Sequence, residues 1–339
     1  MTAQQPVSDP ARKQTAAPTA DPGIDRGKVD RWKDVRHRLE YAALLVLVGI
    51  VRAVPIDIGQ RISAYCWQRI APRTRRHTRA LANLEIAFPE LTAHEREAIA
   101  RASWANLGRV MAETMQIDRI IADPSRLQSP QTEIITRYAD KMGPIVGATL
   151  HQGNWELSIF PLTQAGAMPA AVYRIVKNPY VDRYLRRQRA QLVPGGLLAQ
   201  GRDGEGNTGE AQKTARLLLD YLRRGGRLGL VCDLPDGSGI PVPFFGEPAR
   251  STPAPAMIAR RTGARIFMAR CVRIGDATRF RIELKELRVR RTSNIADDIR
   301  QTTADLHAQF EAWVRDEPTQ YMWANRRWID LPEGHPARR

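Results

Sequence analysis

His151 and Glu156 stand five positions apart in His151-Gln-Gly-Asn-Trp-Glu156, an imidazole and a carboxylate on either side of a Gly-Asn pair. This His-x4-Glu combination has the parts of a general base: a ring nitrogen to take a proton from a hydroxyl, and a carboxylate to orient the ring and balance its charge. On one straight helix the two would not meet, because residues five apart lie about 140° apart around the axis. They meet if His151 ends a strand, Asn154 caps the helix that follows, and Glu156 in its first turn reaches back. The flanks agree, since residues 144–150 are an apolar run that reads as a buried strand and residues 155–160 read as a helix start. Taken alone, the spacing also fits a histidine that merely closes a strand and a glutamate that complements a helix dipole.

Other residues qualify as company for this pair. Tyr173-Arg-Ile-Val-Lys-Asn-Pro-Tyr180 puts Arg174 and Lys177 at the end of the next expected strand, where βα loops collect ligand-binding groups. Two cations there suit a phosphate or a developing oxyanion, or they form a solvated basic face. Asp233 closes a later apolar run, and the stiff segment 239–246 reads as a loop lining an apolar channel. Residues 321–328 alternate aromatics with the pair Arg326-Arg327, which fits a membrane-proximal surface or an interior brace. Cys66, Cys232 and Cys271 are widely spaced and form no CxxC pair, so a reducing, cytosolic environment is expected and no thiolate zinc site. The six histidines are scattered without an HExxH spacing, and no bound metal is expected.

The elements that must hold these groups follow from composition and periodicity. At 339 residues and 43% hydrophobic, the chain can bury a full core. A net charge of +16 and a pI near 10.4 call for a polyanionic partner: nucleic acid, an anionic membrane surface or a phosphorylated substrate. No nucleic-acid-binding signature accompanies the charge, so no nucleic-acid partner is expected. Residues 1–28 read as a disordered tail, 29–80 as a basic membrane-associated helical segment, 81–330 as an α/β domain, and 331–339 as a tail. In the second of these, residues 41–51 are 11 uncharged residues that would span only about 16 Å as a helix. That is too short to cross a bilayer and suits a helix dipping into one leaflet, or an ordinary core helix. Arg69, Arg73, Arg75, Arg76 and Arg79 follow as a second basic cluster. Thr92-Ala-His-Glu95 has the form of a capping box before a stripe through Ile99, Ala102, Trp104, Leu107, Val110 and Met111 that reads as core. From residue 144 apolar runs alternate with helical ones, the pattern of an α/β sheet with helices on its faces. Residues 279–287 alternate as an antiparallel edge strand should, and a helix over 294–315 is stopped by Pro318.

The order of four blocks resembles a known family. His-x-Gly-Asn-Trp-Glu at 151–156, Tyr-Arg with Lys-Asn-Pro-Tyr at 173–180, Pro-Phe-Phe-Gly at 243–246 and Tyr-Met-Trp-x-x-Arg-Arg-Trp at 321–328 are similar to the late lauroyl/myristoyl acyltransferases of lipid A biosynthesis. These are lysophospholipid-acyltransferase-like enzymes, related to mycobacterial phosphatidylinositol mannoside acyltransferases, and the resemblance covers residues 36–330. It implies a mixed sheet flanked by helices, an N-terminal membrane-associated helix, and a place on the cytoplasmic face of a bacterial inner membrane. The implied reaction moves a fatty acyl group from an acyl-carrier-protein or coenzyme A thioester to a hydroxyl of a phosphorylated glycolipid, without cofactor, metal or covalent intermediate. On that resemblance His151 is the base and Glu156 its orienting carboxylate. Arg174, Lys177, Asn154 and Asp233 are substrate-binding candidates. Where family members often carry Asp-Gln this chain has Asp233-Leu234, which removes an amide donor. No Gly-x-Ser-x-Gly elbow offers a competing nucleophile. The same chemistry on a mannosylated phosphoinositide or a glycerolipid is the alternative, and a noncatalytic protein binding anionic membranes or nucleic acid is the alternative from another class.

Overall fold

The computed structural model describes residues 31–130, 143–200 and 208–338, so the expected tail at 1–28 lies outside them. Its centre is a seven-stranded sheet, ordered β1-β9-β8-β2-β5-β3-β4. The strands are β1 (Leu127–Gln128), β2 (Ile145–Gly153), β3 (Pro169–Arg174), β4 (Gly196–Gln200), β5 (Arg227–Val231), β8 (Arg265–Arg273) and β9 (Phe280–Leu287). β8, β2, β5, β3 and β4 run parallel, whereas β9 pairs with β8 antiparallel and β1 lies parallel to β9. The expected antiparallel strand over 279–287 is therefore next to last, with only the two-residue β1 outside it. A separate hairpin joins β6 (Pro235–Phe244) to β7 (Glu247–Ser251).

Parallel strands must be covered on both faces, and alternation along β2 sets two cores. Val146, Ala148 and Leu150 face one side with Leu228, Ile266 and Met268. Helices α3 (Arg75–Ala87), α8 (Thr208–Arg223), α9 (Ala254–Thr262) and α10 (Ile295–Asp316) contribute to this core. On the other side Ile145 packs with Phe267, Ala269 and Cys271 of β8 and with Leu157 and Leu162. Leu162 belongs to α6 (Phe160–Gln164), and α5 (Ile117–Ile121) adds Ile117 and Ile120. The N-terminal layer is α1 (Arg31–Ala53), α2 (Ile56–Ile70) and α4 (Ala93–Thr114), and α7 (Pro179–Arg189) follows β3. Thr92 and Glu95 form the capping box that starts α4, each accepting from the other's backbone N–H. Ser63 Oγ of α2 donates to Gly108 O of α4 at 2.7 Å, an approach that only glycine permits there. The division at residue 80 falls inside α3, whose buried face carries Ala80, Leu84 and Ala87 into the main core. Met111 departs from its expected stripe and is exposed, and Ala337 in the closing stretch is buried.

The segment 239–246 is not a channel-lining loop but the turn end of the β6–β7 hairpin. Phe244 and Phe245 are buried against Phe88, Trp323 and Trp328. The two-residue turn puts both Phe245 (φ 53°) and Gly246 (φ 78°) in the left-handed region, as a hairpin of matching twist requires. Burial of the Phe245 ring offsets the strain that a residue with a Cβ meets there. Residues 321–328 form the interior brace, with Tyr321, Trp323, Arg327 and Trp328 buried and Arg326 exposed.

β2 also runs longer than the apolar pattern suggested, through His151 to Gly153. Its pairing with β8 shifts register between Thr149 and Gly153, and Asn154 N donates to Cys271 O at 3.1 Å just beyond. Gly153 adopts φ 58°, and a Cβ there would lie 1.7 Å from Cys271 O. Gly153→Ala is therefore expected to cost roughly 2–4 kcal/mol through strain and forced backbone separation, read as a lower urea midpoint. A midpoint equal to the parent's would show that the crossing has slack.

Candidate active site

Neighbouring strands β2 and β5 bring the central pair together. Thr149 pairs with Val231, so two residues further along each strand His151 and Asp233 stand side by side at the carboxyl ends of the sheet. His151 N–H donates to Asp233 Oδ2 at 3.0 Å, and His151 Nδ1 lies 2.7 Å from Asp233 Oδ1. An ionised carboxylate only accepts, so Nδ1 carries the proton and Nε2 remains the basic nitrogen. The Trp155 indole stands edge-on to the imidazole, with ring centroids 5.0 Å apart.

Electrostatics set both groups. Burial alone would lower the imidazole's pKa, but the charge and hydrogen bond of Asp233, with a smaller contribution from the charge of Glu156, leave it above the ordinary value of 6.5. Asp233 is 1% exposed, and burial alone would raise its pKa. The charge of His151, its two hydrogen bonds and the charge of Arg327 overcome that and hold the carboxylate below its ordinary value. The pair is thus a strengthened base backed by an anion that stays ionised.

Glu156, expected to hold the imidazole, is held instead by Arg189 at the end of α7. Arg189 Nε donates to Glu156 Oε2 at 2.8 Å, and Nη2 donates to Oε1. The fork occupies both carboxylate oxygens, so the glutamate acts on His151 through space and the hydrogen-bonding partner is Asp233. Because β2 continues to Gly153, Glu156 falls in a short 3-10 turn (Trp155–Ile159) rather than in the first turn of a regular helix. That geometry turns it toward α7.

Asn154 sits at the start of that turn, but its side chain neither caps it nor faces a cleft. It is fully buried and donates to Glu113 Oε2 at 2.9 Å. Arg273 of β8 grips both Glu113 oxygens at 2.6 and 2.8 Å, and Asn106 Nδ2 donates to Gly153 O at 3.1 Å. The expected substrate contact is therefore a strut, tying the turn after His151 to α4 and β8.

Arg174 ends β3, beyond β5 from His151, and is exposed, as is Lys177 in the loop that follows. The next residue anchors that loop. Asn178 caps α7 by accepting from Tyr180 N and Val181 N, while its Nδ2 donates to His37 O (2.8 Å) and Glu40 Oε2 (2.9 Å) of α1. Tyr180 OH donates to Asp34 at 2.8 Å. The Lys-Asn-Pro-Tyr block thus fastens α1 beside the cationic end of β3. Arg189, Glu113 and Arg273 carry no distinguishing signal in the sequence, and Arg327 stands out there only as half of a cationic pair.

Comparison with known proteins bears on this arrangement. The profile of the bacterial lipid A biosynthesis acyltransferases matches residues 30–330. A lipid A biosynthesis lauroyltransferase of Escherichia coli (strain K12) is 27% identical over 267 residues, 76% of this chain and 80% of the relative. A phosphatidylinositol mannoside acyltransferase of Mycolicibacterium smegmatis (strain ATCC 700084 / mc(2)155) is 25% identical over 300 residues, 85% of this chain and 91% of that protein. The family match takes in β2, β5, the hairpin and the C-terminal brace, and the chain belongs to the bacterial lipid A biosynthesis acyltransferase family.

Proposed function

We propose that this acyltransferase adds a secondary acyl chain to a hydroxyl of a lipid A precursor, drawing it from an acyl-carrier-protein or coenzyme A thioester. The observation that carries this reading is the His151–Asp233 pair, with Nε2 left as the base. His151 Nε2 takes the acceptor's hydroxyl proton as the oxygen bonds to the thioester carbonyl carbon. Asp233 balances the imidazolium that forms. Collapse of the tetrahedral intermediate breaks the C–S bond, and the leaving thiolate takes the proton from His151. A thioester is already activated, so positioning and a base suffice, without metal, cofactor or acyl-enzyme. Arg174 and Lys177 supply positive charge where a phosphorylated glycolipid or the donor's phosphates would lie. The wide coverage of the phosphoinositide mannoside acyltransferase supports a second reading, the same transfer to another membrane lipid.

The surface of the N-terminal helices supports a reading in which the protein sits on the cytoplasmic face of the inner membrane. α1 turns its polar clamps inward, where Arg52 pairs with Asp118 at 2.7 Å and Asp34 and Glu40 meet Tyr180 and Asn178. Its apolar stripe points to solvent, with Trp32 83% and Leu39 66% exposed beside Val35, Val46 and Ile50. Ile58, Ile62, Tyr65 and Ile70 extend the exposed apolar surface along α2. Among the described residues no helix is long and apolar enough to cross a membrane, so the stripe is read as lying in the headgroup region, with the basic clusters on anionic lipid.

Four outcomes follow. His151→Ala should lower kcat by about 10² to 10⁴ while leaving vesicle binding intact. Lipid A from a deletion strain should carry one acyl chain fewer by mass spectrometry, and unchanged lipid A with an under-acylated phosphoinositide mannoside would favour the second reading. The base works unprotonated and its pKa is raised, so the acid limb of kcat/KM should lie above pH 6.5. Asp233→Asn removes the charge that raises it and should move that limb to lower pH while cutting kcat, and a limb that stays in place would remove Asp233 from the mechanism. Finally, Leu39→Glu with Val46→Glu and Ile50→Glu should abolish sedimentation with phosphatidylglycerol vesicles without altering the thermal melt. Undiminished sedimentation would locate the contact elsewhere.

A further inference from the structure

Behind Asp233 lies a buried group that the proposed chemistry has not used. Arg327 is 2% exposed, and among the described residues no carboxylate comes within ion-pairing distance of its guanidinium. Its hydrogen bonds go to neutral atoms. Nη1 donates to Arg250 O at 3.2 Å, and Nη2 donates to Ser251 Oγ at 2.8 Å and to His307 Nδ1 at 3.2 Å. The guanidinium also stands over the Phe244 ring, 4.6 Å from its centroid. A buried cation held by four neutral groups needs a counter-charge, and guanidinium does not deprotonate in a protein.

The C-terminal segment that carries Arg327 is tied to the catalytic strand. Met322 N donates to His151 O at 3.0 Å, and Tyr321 bridges Gln152 as an antiparallel partner. Five residues on, the same segment delivers Arg327 to Ser251 at the open end of the hairpin, and Ser251 pairs with Pro235, two residues along the chain from Asp233. Among the described residues, His151 of β2, Cys232 next in the chain, Tyr321 and Arg327 of the C-terminal segment and His307 of α10 are titratable or charged groups that act on or feel Asp233. Burial and the adjacent Arg327 keep His307 neutral, and burial with the charge of Asp233 keeps Tyr321 protonated. Arg327 is thus the permanent cation of the group.

We propose that Arg327 is a positioning residue for acyl transfer: a fixed, buried cation behind Asp233 that keeps this carboxylate ionised, so that it always accepts from His151 Nδ1 and leaves Nε2 basic. Arg327 touches no substrate and acts through Asp233. The proposal rests on the dyad chemistry above, but the coupling it asserts is measurable without turnover.

The test is a double-mutant cycle of Asp233→Asn and Arg327→Met by urea unfolding at constant pH. Arg327→Met should lower the folding equilibrium constant by about a hundredfold or more, and adding Asp233→Asn should restore at least about tenfold of it. Losses that simply add overturn the proposal. Should Arg327→Met fail to fold, folding of the double variant supports the coupling and its failure counts against it. Kinetics supply the second arm. Losing the cation makes Asp233 and His151 easier to protonate, so the acid limb of kcat/KM should move to higher pH in Arg327→Met and stay at the parent's position in Arg327→Lys. An unmoved limb in folded Arg327→Met overturns the proposal. Absence of acyl transfer in the parent protein would instead count against the proposed function and leave the stability cycle readable.

Discussion

A carboxylate taken out of water has to be matched by charge and hydrogen bonds, and Asp233 imposes that condition on the elements around it. Nearly complete burial would neutralise it unless His151 donated twice to it and a cation stood near. Meeting the condition fixes β2 against β5 in one register, since a slip by one residue would turn His151 to the opposite face of the sheet. It also fixes the C-terminal segment, whose Met322 N–H holds His151 O while its Arg327 supplies positive charge behind the carboxylate.

The same logic holds one layer away. Glu113 and Arg273 are a buried ion pair, and removing either partner would strand a charge at a cost of about 3–5 kcal/mol. The Glu113 carboxylate also accepts from Asn154, so the pair fixes the turn through which β2 leaves the sheet. Gly153 makes that turn passable by bringing its backbone against Cys271 where no side chain fits. His151 is consequently held by backbone bonds on both sides, by Asp233 toward β5 and by Met322 toward the C-terminal brace. An imidazole so fixed has little orientational freedom left to lose, which suits the role proposed for it.

The placement of His151 on a buried strand that runs into a turn is legible in the sequence because its signal is local: an apolar run, a Gly-Asn pair and a helix-like continuation within ten residues. The alternation of strands and helices and the capping box at Thr92 were legible for the same reason. Asp233 was flagged, yet not as the partner of His151, because their meeting depends on which strands are neighbours, and 82 residues separate them. Strand order in a parallel sheet leaves no mark on local periodicity. The contacts of Glu156 and Asn154 differ from those expected, to Arg189 and Glu113 instead of His151 and a substrate, and for Glu156 the cause is the length of β2. A strand ending at His151 would let the glutamate reach back, whereas two further strand residues swing it to Arg189. Nothing in the arginine-rich end of α7 distinguishes Arg189 from Arg186 or Arg187 as the one that turns inward. The 239–246 segment misled for a related reason: its prolines and glycines fit a loop, and only packing shows that its two phenylalanines are core.

The polarity of α1 links the site to its surroundings. In a helix packed on a water-soluble core, apolar residues face inward, and here the inward contacts are largely ionic and hydrogen-bonded while the apolar stripe faces out. An exposed stripe of that length is costly in water and favourable at a lipid surface. Asn178 bonds α1 directly and is adjacent in the chain to Lys177, so the loop after β3 is fastened to that helix. Wherever α1 lies on a bilayer, the cationic end of β3 must lie close to the same plane. On the proposed function, an acceptor lipid would then present its phosphates to Arg174 and Lys177 with its acyl chains still in the leaflet, and only its reacting hydroxyl would have to reach His151. That arrangement avoids drawing a multiply acylated lipid out of the membrane, which would forfeit about 0.8 kcal/mol for every methylene exposed.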